Sequence, residues 1–105
     1  CLGDICVHFP DTSSEFKNID SKILLAKTRT LIEAEGYAIG NIDASLCLEA
    51  PKIKPYVATM QETIAGILGI GIKDVSIKAT TTEKLSFVGR EEGVSAYSTV
   101  LIQKN

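Results

Sequence analysis

Apolar residues recur along the chain with two different periods. From Ser21 onward Leu24, Leu25, Thr28, Leu31 and Ile32 fall on one side at helical spacing, with Lys22, Lys27, Arg29 and Glu33 on the other. This predicts a helix with Asp20 or Ser21 as its N-cap and Gly36 as its stop. The period then drops to two. In YAIGNIDASLCLEA the even positions Ala38, Ile42, Ala44, Leu46 and Leu48 are apolar, while Asn41, Asp43, Ser45 and Glu49 are polar, as in a strand with one face on a core. Pro51 and Pro55 bracket a connection, and Pro55 suits the first turn of a second helix. That helix shows the stripe Val57, Met60, Ile64, Ile67 and Leu68 and stops at Gly69. Asp74 to Ala79 alternates again, with Val75, Ile77 and Ala79 on one side, and GVSAYSTVLIQK, residues 93–104, predicts a third strand. Residues 1–20, with Gly3, Pro10 and several Asp and Ser, read mainly as loop with a short helical piece near the start. The order helix, strand, helix, strand, strand predicts an α/β (α+β) fold with helices over one sheet face. The opposite face carries Asn41, Asp43, Ser45, Ser76 and Lys78, polar enough either to meet water or to pack against symmetry-related copies.

Composition narrows the function classes. The 105 residues are read as a single domain, 1–105, with 45% hydrophobic residues available for a core. A net charge of −2 and the absence of Trp argue against a nucleic-acid binder, which needs a basic surplus and stacking platforms. No apolar run approaches the roughly 20 residues of a membrane span. Cys1, Cys6 and Cys47 form no C-x-x-C pair and are read as reduced thiols.

Candidate chemistry gathers where the predicted strands end. In ATTTEK, residues 79–84, Thr80, Thr81 and Thr82 offer hydroxyls that donate to phosphate oxygens. Glu83 would repel a phosphate unless a divalent cation lies between them, since Mg²⁺ or Mn²⁺ joins carboxylates to substrate phosphates. A solvated threonine-rich turn with a surface ion pair is the alternative. LEAPKIK, residues 48–54, is either a strand-to-helix connection or a segment whose backbone reads the edge of a polar ring. Asp4 and Asp11, around Phe9 and Pro10, are either turn and cap residues or acceptors for a polyol. Arg90, in FVGREEG, either binds phosphate or belongs to a surface charge cluster. His8 is the sole histidine, so a Ser/His/Asp or Cys/His triad is not supported. Neither a G-x-x-x-x-G-K-[ST] nor a G-x-G-x-x-G phosphate loop is present.

Taken in order, GDICVHFPDTS, GNIDASLCLEAPKIKP and VSIKATTTEKLSFVGREEG closely resemble the 2-C-methyl-D-erythritol 2,4-cyclodiphosphate synthase family, over nearly the whole chain. The resemblance implies a mixed β-sheet and a homotrimer whose three sheets face a central axis, with active sites between subunits. It implies a lyase reaction of the non-mevalonate isoprenoid route. The 2-phosphate of 4-diphosphocytidyl-2-C-methyl-D-erythritol 2-phosphate attacks the β-phosphorus, closing the cyclic diphosphate and releasing CMP. By the same resemblance Ala50, Pro51, Lys52, Ile53 and Lys54 form the cytidine pocket, main-chain groups reading the base, and Leu48 and Glu49 are also substrate-binding. Ala79, Thr80 and Thr82 bind the diphosphate, Thr81 stabilises the transition state, and Glu83 holds Mg²⁺ or Mn²⁺. Asp4, Ile5, Cys6, Phe9, Pro10, Asp11, Thr12 and Ser13 surround the methylerythritol phosphate, although Ser13 replaces a commonly acidic residue. Phe87 and Arg90 fall near the phosphates and the central cavity. The family's Zn²⁺ ligands, a D-x-H motif and a further His, are absent from this sequence. The chain is therefore expected to be a C-terminal portion, inactive without that segment. The expected location is the cytoplasm, or a plastid where a transit peptide precedes the region. The alternative is a non-catalytic trimeric domain of the same fold that keeps a nucleotide pocket or none.

Overall fold

Asp20 starts the first long helix by the means the sequence offers. In the computed structural model, which describes residues 3–9, 20–49, 52–80 and 93–105, its backbone is extended and its carboxylate accepts from the Lys22 N–H at 2.9 Å. A single turn, α1 (Ile5–His8), precedes this helix, α2 (Ser21–Ala34). Gly36 adopts φ 86° just beyond it and donates to the Glu33 carbonyl at 3.0 Å, so the expected stop is the observed one.

Three strands follow in a mixed sheet of order β2-β1-β3. β1 (Tyr37–Cys47) lies in the centre, parallel to β2 (Val75–Thr80) and antiparallel to β3 (Ser95–Lys104). The alternation in β1 holds from Asn41 onward but not before it. A register shift between Ile39 and Asn41 inserts Gly40 as an extra residue, so Ile39 pairs with Ile102 and Ile42 with Val100. This puts Ile39, not Ala38, on the face of Ile42, which corrects the assignment of Ala38 to the core side. A Cβ at Gly40 would come 3.3 Å from the Leu101 carbonyl oxygen, a close approach that suits glycine.

The second long helix, α3 (Val57–Leu68), joins β1 to β2 and covers their shared face. Pro55 lies one step earlier than expected, in a 3-10 turn (Lys54–Tyr56) that leads into the helix. The core forms between α3 and the parallel pair. Val75 (2% exposed), Ala65 (5%) and Ile77 (9%) are its centre, with Ala44, Leu46, Val57, Met60, Ile64 and Ile70 packed around them. Ala65 was not part of the expected stripe. It is small enough to bring the helix close to the sheet, a role that hydrophobicity alone does not reveal. On the opposite face Asn41, Asp43, Ser76 and Lys78 are exposed, and Lys78 Nζ lies 3.1 Å from an Asp43 carboxylate oxygen.

α2 and α3 are tied together by a residue expected to face outward. Arg29 is held by Glu33 one turn on, at 2.6 Å, and its guanidinium donates to the Ile67 carbonyl at 3.0 Å. That carbonyl is among the last of α3, where a cation also meets the negative end of the helix. Gly69 then ends the helix at φ 68°, and Ile70 N–H returns to the Ala65 carbonyl at 3.1 Å. A Cβ at Gly69 would stand 2.7 Å from an Arg29 guanidinium nitrogen. Gly69→Ala is thus expected to lower stability by about 1–2 kcal/mol, the cost of a left-handed alanine, with a further loss from the displaced Arg29 bond. Urea denaturation checks this as a lower midpoint with an unchanged slope.

Candidate functional site

The parallel pairing of β1 and β2 decides where the candidate residues meet. Leu46 is registered with Ala79 and Cys47 with Thr80, and the Leu48 N–H donates to the Thr80 carbonyl at 3.0 Å. The chain therefore leaves the sheet at two neighbouring points on its C-terminal edge, Leu48 after β1 and Thr80 at the end of β2. In open α/β sheets ligands bind outside the C-terminal ends of parallel strands, where connections diverge and leave backbone groups exposed.

A cleft of about 140 Å³ opens at this point, lined by Leu48, Glu49, Lys52, Ile53, Lys54, Ala79 and Thr80. Seven positions that sequence reasoning assigned to two separate segments thus share one wall. Its floor is apolar, with Leu48 9% exposed, while Glu49, Lys52 and Lys54 supply charge. Ligand sites for whole small molecules usually span about 300–1,000 Å³, so this space suits a single flat ring with the rest of the ligand outside it. An adjoining groove of about 590 Å³ runs along β2 and the start of α3, lined by Lys54, Val57, Ala58, Gln61, Ile77, Lys78 and Ala79. Gln61, which sequence reasoning did not single out, fixes this wall: its amide donates to the Val75 carbonyl at 2.7 Å and ties α3 to the strand.

The loop residues around Asp4 lie elsewhere. Asp4 precedes α1, its carbonyl accepting from the Val7 N–H at 3.1 Å, and Phe9 N–H donates to the Ile5 carbonyl at 2.9 Å. Ile5 and Cys6 open that helical turn. Phe9 and His8 line a cleft of about 340 Å³ with Lys27, Thr30 and Leu31 of α2, and Ile5 lines a neighbouring one. Among the described residues, the clefts that Ile5 and Phe9 line share no residue with the wall of Leu48, Glu49, Lys52, Ile53 and Lys54. Of the residues expected at the site, Pro10, Asp11, Thr12, Ser13, Ala50, Pro51, Thr81, Thr82, Glu83, Phe87 and Arg90 lie outside the described residues.

Among the described residues no three His, Cys, Asp or Glu side chains cluster as a self-sufficient metal site. A cation shared with substrate phosphates does not need such a cluster, because one carboxylate and the phosphate oxygens complete its shell together with water. By residue type Glu83 has the hard carboxylate oxygen that Mg²⁺ or Mn²⁺ takes, and Thr80, Thr81 and Thr82 precede it in sequence with hydroxyls available to a phosphate. The sequence does not fit Zn²⁺ in a site of one Asp and two His, since His8 is its sole histidine.

Comparison with known proteins gives consistent results. The sequence model of the YgbB family matches residues 1–103. The 2-C-methyl-D-erythritol 2,4-cyclodiphosphate synthase of Bacteroides thetaiotaomicron is 64% identical over 104 residues, covering 99% of this chain and 65% of that protein. Among solved structures, the bifunctional IspDF of Campylobacter jejuni superposes with a TM-score of 0.93 at 38% identity, over 99% of this chain and 28% of that one. IspF of Plasmodium falciparum, solved as a CDP complex, superposes with a TM-score of 0.82 at 28% identity, over 97% of this chain and 60% of that one. The chain spans about 65% of the length of its curated relatives. No helix of the described residues is long and apolar enough to cross a membrane.

Proposed function

The chain belongs to the YgbB family, and from that premise we propose that it is the nucleotide-binding part of a 2-C-methyl-D-erythritol 2,4-cyclodiphosphate synthase. Read as a single domain over residues 1–105, it covers about 65% of the length of its curated relatives. The reaction is the lyase-type cyclisation of a CDP-linked methylerythritol phosphate with release of CMP. The observation that carries this reading is the shared cleft: the parallel register brings Leu48, Glu49, Lys52, Ile53 and Lys54 to one wall with Ala79 and Thr80, which supports a single nucleotide site there.

The cleft takes the base, for which its volume is sufficient, and main-chain groups of 50–54 read the ring edge. The diphosphate then runs toward Thr80, Thr81 and Thr82, whose hydroxyls donate to its oxygens. Thr81 would stabilise charge as the 2-phosphate oxygen attacks the β-phosphorus and the CMP oxygen leaves. Glu83 would hold Mg²⁺ or Mn²⁺ at the diphosphate, where such a cation offsets the repulsion between the phosphates. No protein nucleophile is needed, because the attacking phosphate belongs to the substrate itself and only has to be held close and in line. Zinc chemistry is assigned to no residue of this chain, whose donors do not fit it.

Asp4, Ile5, Cys6, Phe9, Pro10, Asp11, Thr12 and Ser13 complete the site around the methylerythritol phosphate from a neighbouring copy. Among the described residues, the separation of the clefts of Ile5 and Phe9 from the wall of Leu48, Glu49, Lys52, Ile53 and Lys54 supports this arrangement. So does β3, whose Tyr97 (71% exposed), Val100, Leu101 and Ile102 are exposed apolar side chains suited to burial in a homotrimer. Phe87 and Arg90 contribute near the phosphates and the central cavity, and the enzyme works in the cytoplasm.

Titration of CDP into the full-length protein tests the reading. Binding is expected to be at least about tenfold tighter with Mg²⁺ than with EDTA, the scale of an added charge-assisted contact. Equal affinity in both, or no binding at all, would overturn the metal-bridged diphosphate. Tight CDP binding without any turnover would instead favour a non-catalytic nucleotide-binding domain.

A further inference from the structure

The connection between β1 and α3 brings two ammonium groups to the cleft, and the structure separates their roles. Lys52 lines the 140 Å³ cleft and not the adjoining groove, as does Glu49. Lys54 lines both that cleft and the adjoining groove, and Ala79 is the other described residue common to the two spaces. Lys54 therefore stands on the β2 side of the cleft, beside the strand end at which Thr80 begins the threonine run. The charges differ as well. Lys78, on the groove wall, is matched by Asp43 at 3.1 Å, whereas Lys54 forms no ion pair or side-chain hydrogen bond with any described residue.

An exposed lysine without a partner is ordinary on most surfaces. Here it borders the wall at which a diphosphate enters, next to hydroxyl donors that carry no net charge. The geometry points to a distinct task for the Lys54 side chain: its ammonium engages the phosphates of the bound nucleotide, while the main chain of the same segment faces the base. The inference rests on the nucleotide reading above and adds a phosphate-reading residue to it. Lysine suits this task because it is a compact charge on a flexible stem, able to follow a phosphate that moves during reaction. Because the site is open to solvent, the effect is that of a screened ion pair.

Calorimetric titration of the full-length protein with CDP and with cytidine separates base from phosphate recognition. Lys54→Met is expected to weaken CDP binding about fivefold at low salt and to leave cytidine unchanged. Lys54→Arg keeps the charge and should retain most of the affinity. Lys73→Met, on the 3-10 turn Ile72–Asp74 that precedes β2 at its far end, should change neither. In about 1 M salt, where the screening length falls to about 3 Å, the difference between wild type and Lys54→Met should disappear. Wild-type CDP affinity kept by Lys54→Met, or equal losses for CDP and cytidine, would overturn the inference and leave the nucleotide reading standing. Failure of the wild-type protein to take up either ligand would remove both.

Discussion

Replacing Glu83 with Gln in the full-length enzyme is expected to lower kcat/KM by about 10²- to 10³-fold, the range seen when one electrostatic partner of a transition state is lost. Gln keeps the size of the side chain and removes its charge. If Glu83 holds the cation at the diphosphate, the amide ligates it poorly and the phosphates are left to repel one another. The same substitution should act in opposite directions on nucleotide binding. With Mg²⁺, Glu83→Gln should lose the cation-dependent gain in CDP affinity. In EDTA it should bind CDP at least as tightly as wild type, because a carboxylate that repels a bare diphosphate has been removed. That crossover would not arise from general damage to the fold. Parallel losses with and without the cation would place Glu83 away from the diphosphate, and the metal-bridged reading would have to be given up.

The largest effect on stability is expected from Leu68→Ala. Leu68 is 3% exposed and is the last residue of α3, where the helix turns away through Gly69. Truncating a buried leucine removes its transfer free energy and leaves a cavity, together costing about 2–5 kcal/mol. The surroundings limit relaxation. Arg29 holds the adjacent Ile67 carbonyl at 3.0 Å, and Ile70 N–H returns to Ala65, so the chain on either side of Leu68 is fixed. A value near the middle of the range, about 3 kcal/mol, is the expectation. Urea denaturation at fixed protein concentration measures it, the fixed concentration being needed if copies associate. A loss below about 1 kcal/mol would mean that the end of α3 collapses freely and that the Arg29 bond does not restrain it.

Much of the fold was legible because neighbouring residues carried its signals. The Asp20 cap, the Gly36 and Gly69 stops, and the period-two alternation of β1 and β2 all follow from residues a few positions apart. The phase error at Ala38 has a different origin. Gly40 has no side chain to report a face, so a one-residue bulge reads as unbroken alternation until the pairing with β3 is known. Arg29 was placed on the outer face because helical spacing groups it with Lys22, Lys27 and Glu33, opposite the apolar stripe. Its reach to Ile67 depends on how closely α2 and α3 approach, which helical spacing does not encode.

The candidate site divides in a similar way. That Leu48, Glu49, Lys52, Ile53 and Lys54 share a cleft with Ala79 and Thr80 follows from parallel pairing of two strands connected through a helix, for which the element order was a fair guide. That Phe9 lines a cleft with α2, and that Asp4 stands at the start of α1, could not be read from their places in the loop before Pro10. A loop's docking partner is set by tertiary packing, and nothing in GDICVHFPDTS names it. Gln61 was also missed. A glutamine on a helix is an ordinary surface residue until a strand carbonyl comes within its reach.

The Gln61 contact bears on how the sheet avoids unwanted growth. Alternation from Thr80, whose carbonyl accepts from Leu48, turns the Val75 carbonyl away from β1 toward the rim that β2 forms among the described residues. A bare rim of this kind is a template on which stray extended chains can nucleate cross-β stacking. With its first acceptor taken by the amide of Gln61, a foreign strand cannot begin pairing there. It would have to start further along, beside the groove that Ile77, Lys78 and Ala79 line. Protection against such growth is thus built into the first of the six residues of β2.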